Sequence, residues 1–253
     1  MLKNITIGIK AYFGAFSLIS KLKLWKYFII PMLISLVTAI GVFGIAYGLS
    51  NNIVDYITSV FPSWNSYSWV KTTFRIISGL IIIVIGLILF KHIIMALSAP
   101  FMSPVSEKIE AYLTGNALLT HRNTSFLEQL WRGILINGRN LFMELLLTIP
   151  ILLLKFIPVV NIFSTILLFL VQAYYAGFGN MDYTLERHFK YGESLRFVRQ
   201  HRGLAIGNGI VFMLFLLIPL VGVILVLPLS VTAASLKTVE ALKLNHSIHE
   251  TSL

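Results

Sequence analysis

Cysteine is absent from the 253 residues, which excludes disulfides and thiolate metal ligands and leaves the redox compartment open. Charge is scarce too. Asp, Glu, Lys and Arg make up 12% of the chain, about half of what a soluble domain carries. Acidic residues are the fewest, 10 against 20 Lys plus Arg, a formal +10. In a chain that is 57% hydrophobic, that excess reports basic loops and anionic headgroups and excludes nucleic acid as the expected partner. The scarcity is concentrated: the fifteen residues from Ile76 to Phe90 carry no charge, and Arg75 and Lys91 bracket them. As a helix, residues 76–97 reach roughly 33 Å, enough to cross a hydrocarbon core of about 30 Å. Arg75 and Lys91 are expected to snorkel toward the two surfaces. Comparable stretches follow, so the reading is an all-α integral membrane protein with a single membrane domain over residues 1–253. The first apolar run comes late and lasts a full span, so no cleavable signal is expected.

Residues 1–26 read as an interfacial helix and a basic collar. Ile9, Tyr12, Phe13 and Phe16 fall at i, i+3, i+4, i+7, and Lys3 and Lys10 add positive charge, the pattern of a helix lying in the headgroup plane. Lys21, Lys23 and Lys26 surround an interfacial Trp25. Span 1 covers residues 27–49, with Pro31 tolerated near its start. Gly41, Gly44 and Gly48 form a small-residue stripe suited to close helix contact. Residues 51–70 are a polar connection with Phe61, Trp64, Tyr67 and Trp69 and a single charge, Asp55. Five lysines precede Tyr27, so the positive-inside asymmetry puts both termini in the cytoplasm and this loop outside. Span 2, residues 72–97, returns the chain. Pro100 and Pro104 are expected to break the helix, with a short amphipathic helix restarting at the surface. The polar segment reaching Gln129, with His121 and Arg122, is expected in cytoplasmic water.

The second half repeats at an offset of 70: Arg132-Gly133 with Arg202-Gly203, Ile136 with Ile206, and Phe142-Met143 with Phe212-Met213. Each copy opens a pair of apolar arms, hairpin 1 at residues 134–179 and hairpin 2 at residues 204–236. Three of the four arms have 14 or 15 residues, about 21–22 Å as helix and short for a crossing. The turn at residues 219–222 has no polar side chain. Both pairs therefore read as re-entrant helical hairpins, whose deep backbone needs cover from protein or a wet cavity, a demand that points to an oligomer or a pore. Residues 180–203 form the cytoplasmic segment between them, with Arg187, Lys190, Arg196, Arg199 and Arg202 read as a solvated basic face.

No catalytic set emerges, so the chain is not read as an enzyme, and no cofactor or metal is expected. His246 and His249 are spaced for a metal, without carboxylate support in a terminal tail. Gly207-Asn208-Gly209 lies in an apolar run and reads as close helix packing rather than a phosphate loop. Glu144 is a carboxylate inside an apolar arm, a costly placement that marks either an ion pair or a wet path. Arg139, Asn140 and Lys155 are its expected partners. Basic residues gather where the chain meets the membrane: Lys21, Lys23, Lys26, Arg132, Arg139 and Arg202. Such donors suit an oxyanion or a lipid headgroup equally well.

The order of features resembles the bacterial CysZ-type sulfate permeases and their relatives, the etoposide-induced-protein-like membrane family. It is carried by the basic collar before Phe28–Ser35 (FIIPMLIS), Ala99-Pro100-Phe101 with Glu107–Glu110 (EKIE), and Met181-Asp182-Tyr183. Leu217–Val221 (LIPLV), followed by Pro228 and Ala233-Ala234, completes it. The resemblance implies two long transmembrane helices, two hairpins that penetrate without crossing, and homo-oligomers forming a sulfate path across the bacterial inner (cytoplasmic) membrane. It also implies a Gly-Leu-Arg-Arg anion motif, whose positions here are Lys23, Leu24, Trp25 and Lys26. The leucine and the last cation are kept, whereas Lys26 offers a point charge in place of a bidentate fork. The expectation is thus a multi-pass permease for an inorganic oxyanion, sulfate first, in contact with anionic lipid headgroups. Lys23, Leu24, Trp25, Lys26 and Arg139 are its anion-binding candidates and Glu144 its pore-lining candidate. The alternative is a non-transporting membrane scaffold or regulator of the same fold.

Overall fold

The computed structural model describes residues 1–61, 67–115, 124–155, 157, 160–218 and 221–250. The expectations at Trp64, His121, Arg122, Pro219 and Leu220, and those at the side chains of His246 and His249, lie outside the described residues. Among the described residues the chain is all helix, as the composition implied. The elements are α1 (Leu2–Lys21), a 3-10 turn (Leu24–Tyr27), α2 (Ile29–Val60), α3 (Ser68–Leu97) and α4 (Ala99–Thr114). They continue with α5 (Phe126–Leu154), α6 (Val160–Leu185), α7 (Tyr191–Gln200), α8 (Arg202–Leu216) and α9 (Val221–Glu250). Five helices among the described residues are long and apolar enough to cross a membrane: Leu24–Val60, Ser68–Leu97, Phe126–Leu154, Val160–Leu185 and, within α9, Ile224–Lys243.

The bundle is built on α8, which glycine lets two helices approach from opposite sides. Gly203 and Gly207, one turn apart, face α1: a Cβ on Gly207 would strike the Ile5 carbonyl, and one on Gly8 would strike the Leu204 carbonyl. Gly209 faces α6, where a Cβ would collide with the Ala173 carbonyl, and Gly177 of α6 would collide likewise with Ala205. Removing Cβ lets the backbones touch and maximises dispersion contact where lipid supplies no hydrophobic drive. Helix packing at Gly207-Asn208-Gly209 is therefore as expected.

Four stretches read as surface from the sequence are redefined in three dimensions. The apolar stripe of α1 divides: Tyr12 is buried together with Gly8, Ala11, Ala15, Leu18 and Ile19, while Phe13 is 82% exposed. Small residues win that face because α1 packs closely on α8 and α9. The helix breaks ahead of Pro100 as expected, α3 ending at Leu97 and α4 starting at Ala99, but Pro104 does not break it. Pro100 sits at the start of α4, where no backbone bond is lost, and Pro104 lies within it. α4 is a core helix, with Met102, Val105 and Ile109 fully buried. The cytoplasmic segment from residue 180 begins inside the core, since α6 is buried from Tyr175 through Leu185. Lys91 does not snorkel. Its side chain is fully buried because a carboxylate awaits it.

The hairpin arms also differ from the short segments expected. α5 has 29 residues, α6 26 and α9 30, while α8 alone stays short at 15. The extra turns carry polar residues that pair with other helices, so hydropathy stopped counting before the helix did. Among the described residues, nothing from another helix lies within 4 Å of a hypothetical Cβ on Gly41, Gly44 or Gly48, so no described helix of the same chain packs on that stripe. α2 instead packs along α3, with Val42 against Gly86.

Candidate functional site

Three layers of buried charge lie where α3, α4, α5 and α6 meet. In the first, Arg132 of α5 forms a bidentate pair with Asp182 of α6, Nε to Oδ2 at 3.0 Å and Nη2 to Oδ1 at 2.9 Å. Its remaining donors reach the Phe189 carbonyl and Ser194 Oγ, each at 2.7 Å. Four of the five guanidinium N–H groups are thus engaged, and they tie α5 to both ends of the α6–α7 connection.

The second layer surrounds Glu110 of α4. Arg187 Nη2 donates to Oε2 at 3.0 Å, and His188 Nε2 lies 2.6 Å from Oε1. Burial by itself would raise the Glu110 carboxyl, but His188 and Arg187 outweigh it and hold it below its ordinary value. Arg187 also donates to Ser106 Oγ at 2.8 Å and the Tyr183 carbonyl at 3.1 Å. Glu186, adjacent but aimed elsewhere, accepts from Ser103 Oγ and is 2% exposed. Burial, reinforced by nearby Asp182, pushes its carboxyl up to about 7.

The third layer sits within two apolar spans. Lys91 Nζ donates to Glu144 Oε1 at 2.7 Å, and His92 Nε2 lies 3.1 Å from Oε2. The predicted partners of Glu144, Arg139, Asn140 and Lys155, are thus displaced by residues on α3. The sequence had assigned Lys91 to the membrane surface, and its contact with Glu144 spans 53 positions of chain. Arg139 is half-buried 5.6 Å over the Phe178 ring and donates to Asn140 Oδ1 at 3.2 Å. A neutral seam completes the core: Asn180 Nδ2 donates to Asn208 Oδ1 at 2.8 Å, Asn208 Nδ2 to the Ser230 carbonyl at 2.9 Å, and Tyr12 to Ser230 Oγ at 2.7 Å.

The collar residues lie elsewhere, on the outside of the bundle. Lys23, Trp25 and Lys26 are exposed, whereas the Leu24 side chain is fully buried and pins the 3-10 turn to the core. Lys23 is in the left-handed region, φ 52 and ψ 44. It is the one non-glycine among the described residues with positive φ. A glycine takes that conformation without strain, a physical reason for glycine at this motif position. Lys26 and Lys108 flank one ring, with Nζ 5.2 Å and 5.8 Å from the Tyr27 centroid. Folding therefore brings a cation from α4 beside the collar, which no spacing in the sequence indicated. The pairings in the buried layers were missed for the same reason: Glu144 was marked as a buried carboxylate, but the signals at Lys91, Arg132 and Asp182 did not name their partners. Among the described residues no cluster of His, Asp or Glu is arranged to hold a metal ion.

Apolar helices of spanning length around a core of buried ion pairs define a multi-pass helical membrane protein. Residues 11–227 match the family described as Sulfate transporter CysZ/Etoposide-induced protein 2.4, and the chain belongs to that family. The sulfate transporter CysZ of Pectobacterium atrosepticum is 28% identical over 231 residues, which cover 90% of this chain and 82% of that protein. The sulfate transporter CysZ of Pseudomonas aeruginosa is 28% identical over 210 residues, 82% of this chain and 84% of that one. The one from Pseudomonas fluorescens is 28% identical over 213 residues, with 82% and 83% covered.

Proposed function

We propose that this protein is a permease for an inorganic oxyanion, sulfate in the first instance, acting as a homo-oligomer in the bacterial inner membrane with both termini in the cytoplasm. The observation that carries the proposal is family membership over most of the chain, with relatives named as sulfate transporters. The exposed cations support it, since Lys23 and Lys26 stand at the entrance of the first span with Lys108 beside them. Trp25 closes the apolar side of that entrance, and Leu24 anchors the turn rather than touching the anion. Arg139 and Glu144 lie deeper on α5 and serve the path there.

We read the two hairpins as re-entrant. α8, at 15 residues, reaches about 22 Å and falls short of a hydrocarbon core. At the tips, Leu217 is 72% exposed, Ile218 46% and, in hairpin 1, Leu153 63% and Ile157 49%. Apolar side chains exposed at a turn suit hydrocarbon, not water. Leu217 is also the better reporter position, because a Cβ at Gly222 would strike the Phe215 carbonyl. A sole cysteine introduced as Leu217→Cys should escape an impermeant thiol reagent added from outside.

Sulfate uptake by the purified protein in liposomes tests the function. Lys26→Ala should raise the half-saturating sulfate concentration roughly tenfold, the scale of one charge-assisted hydrogen bond. A wild-type protein that is folded and assembled yet takes up no sulfate would replace the permease with the scaffold reading.

A further inference from the structure

The third charged layer has no role in holding the bundle that an apolar pair would not fill. A buried ion pair costs desolvation that well-packed hydrophobic side chains avoid, and this one lies inside helices of spanning length. Its geometry is that of a bound anion. One carboxylate oxygen is met by an ammonium at 2.7 Å and the other by an imidazole nitrogen at 3.1 Å, and both donors come from consecutive residues of α3. The side chains of Lys91, His92 and Glu144 are 2–3% exposed. His92 Nδ1, on the far edge of the ring from the carboxylate, is buried without a hydrogen-bond partner, so no second bond fixes the ring against Glu144.

We propose that Lys91 and His92 form an oxyanion cradle within the membrane, filled at rest by the carboxylate of Glu144, which a permeating oxyanion displaces. The inference rests on the permease reading and deepens it by naming an internal site and its gate. Two oxygens of a tetrahedral oxyanion present the same pair of acceptors as a carboxylate, so the donors need not move to exchange one for the other. Exchange also avoids leaving Lys91 uncompensated, the state that makes breaking a buried pair costly. The displaced carboxylate has a place to go. Side chains on a helix lean toward its N-terminus, and one turn back on the same face is Asn140, bonded to the Arg139 guanidinium. Arg139 thereby becomes the partner of Glu144 while the cradle holds substrate.

The test uses the full chain, with two readouts: sulfate uptake in liposomes, and the shift of thermal unfolding produced by sulfate in detergent. Lys91→Gln with Glu144→Gln removes both charges together and keeps side-chain size. The expected result is unfolding close to wild type and uptake reduced at least tenfold. Uptake by the double variant at the wild-type rate would overturn the cradle and leave a purely structural pair. Glu144→Gln alone empties the cradle of its competing anion, so sulfate should shift its unfolding at concentrations at least threefold lower than for wild type. No such change overturns the proposal, including where the double variant fails to fold. A wild type without uptake would refute the permease reading separately, and the sulfate shift of Glu144→Gln then decides the cradle by itself.

Discussion

Glu186 gives the protein a stability that depends on pH, with a sign opposite to that of most carboxylates. The side chain is 2% exposed, and its one neutral donor, Ser103 Oγ, cannot offset the cost of burying charge beside Asp182. Its carboxyl is raised from an ordinary 4.5 to about 7. Between those values the unfolded chain has released the proton while the native protein still holds it. Native stability therefore falls as pH rises through that window and levels off above it. The shift corresponds to roughly 3 kcal/mol as an upper figure, reduced by whatever water reaches the site. Glu110 carries the opposite linkage, since its carboxyl is held below the ordinary value. That contribution is present above the unfolded pKa and is lost as pH falls through the lower native one, beneath the Glu186 window. The assay is unfolding in detergent from about pH 5 to about pH 8.5, comparing wild type with Glu186→Gln. The wild type should lose stability relative to the variant as pH rises, by roughly 1–3 kcal/mol. Parallel curves would show that Glu186 ionises freely, by water entry or movement of α4, and would refute the argument.

Two other consequences follow from the backbone. Gly209→Ala places a methyl group against the Ala173 carbonyl; forcing α8 from α6 should cost about 1–3 kcal/mol or more, read by unfolding in detergent. Lys23→Gly relieves a left-handed residue and should raise unfolding stability by about 1 kcal/mol, while sulfate uptake reports separately on the loss of that cation.

The sequence by itself determined the class of this protein. Uncharged runs long enough to cross a bilayer, a basic excess and the order of a few short motifs require nothing from tertiary structure, because hydrocarbon excludes every spanning backbone but a satisfied one. Glycine at 207 and 209 was legible too, since a residue without Cβ inside an apolar helix has close approach as its main use. What the tertiary structure decided is where each charge goes. Lys91 looked like a residue for the membrane surface until α5 set Glu144 against it. Arg187 looked solvated until α4 supplied Glu110, and α6 ran on through Asp182 because Arg132 was there to meet it. The positions of these partners are separated by 50 to 77 residues of chain, and local pattern carries no information at that range. Burying a charge is unfavourable alone and tolerable only in company. Its fate is therefore a property of the assembled bundle and not of the helix that bears it.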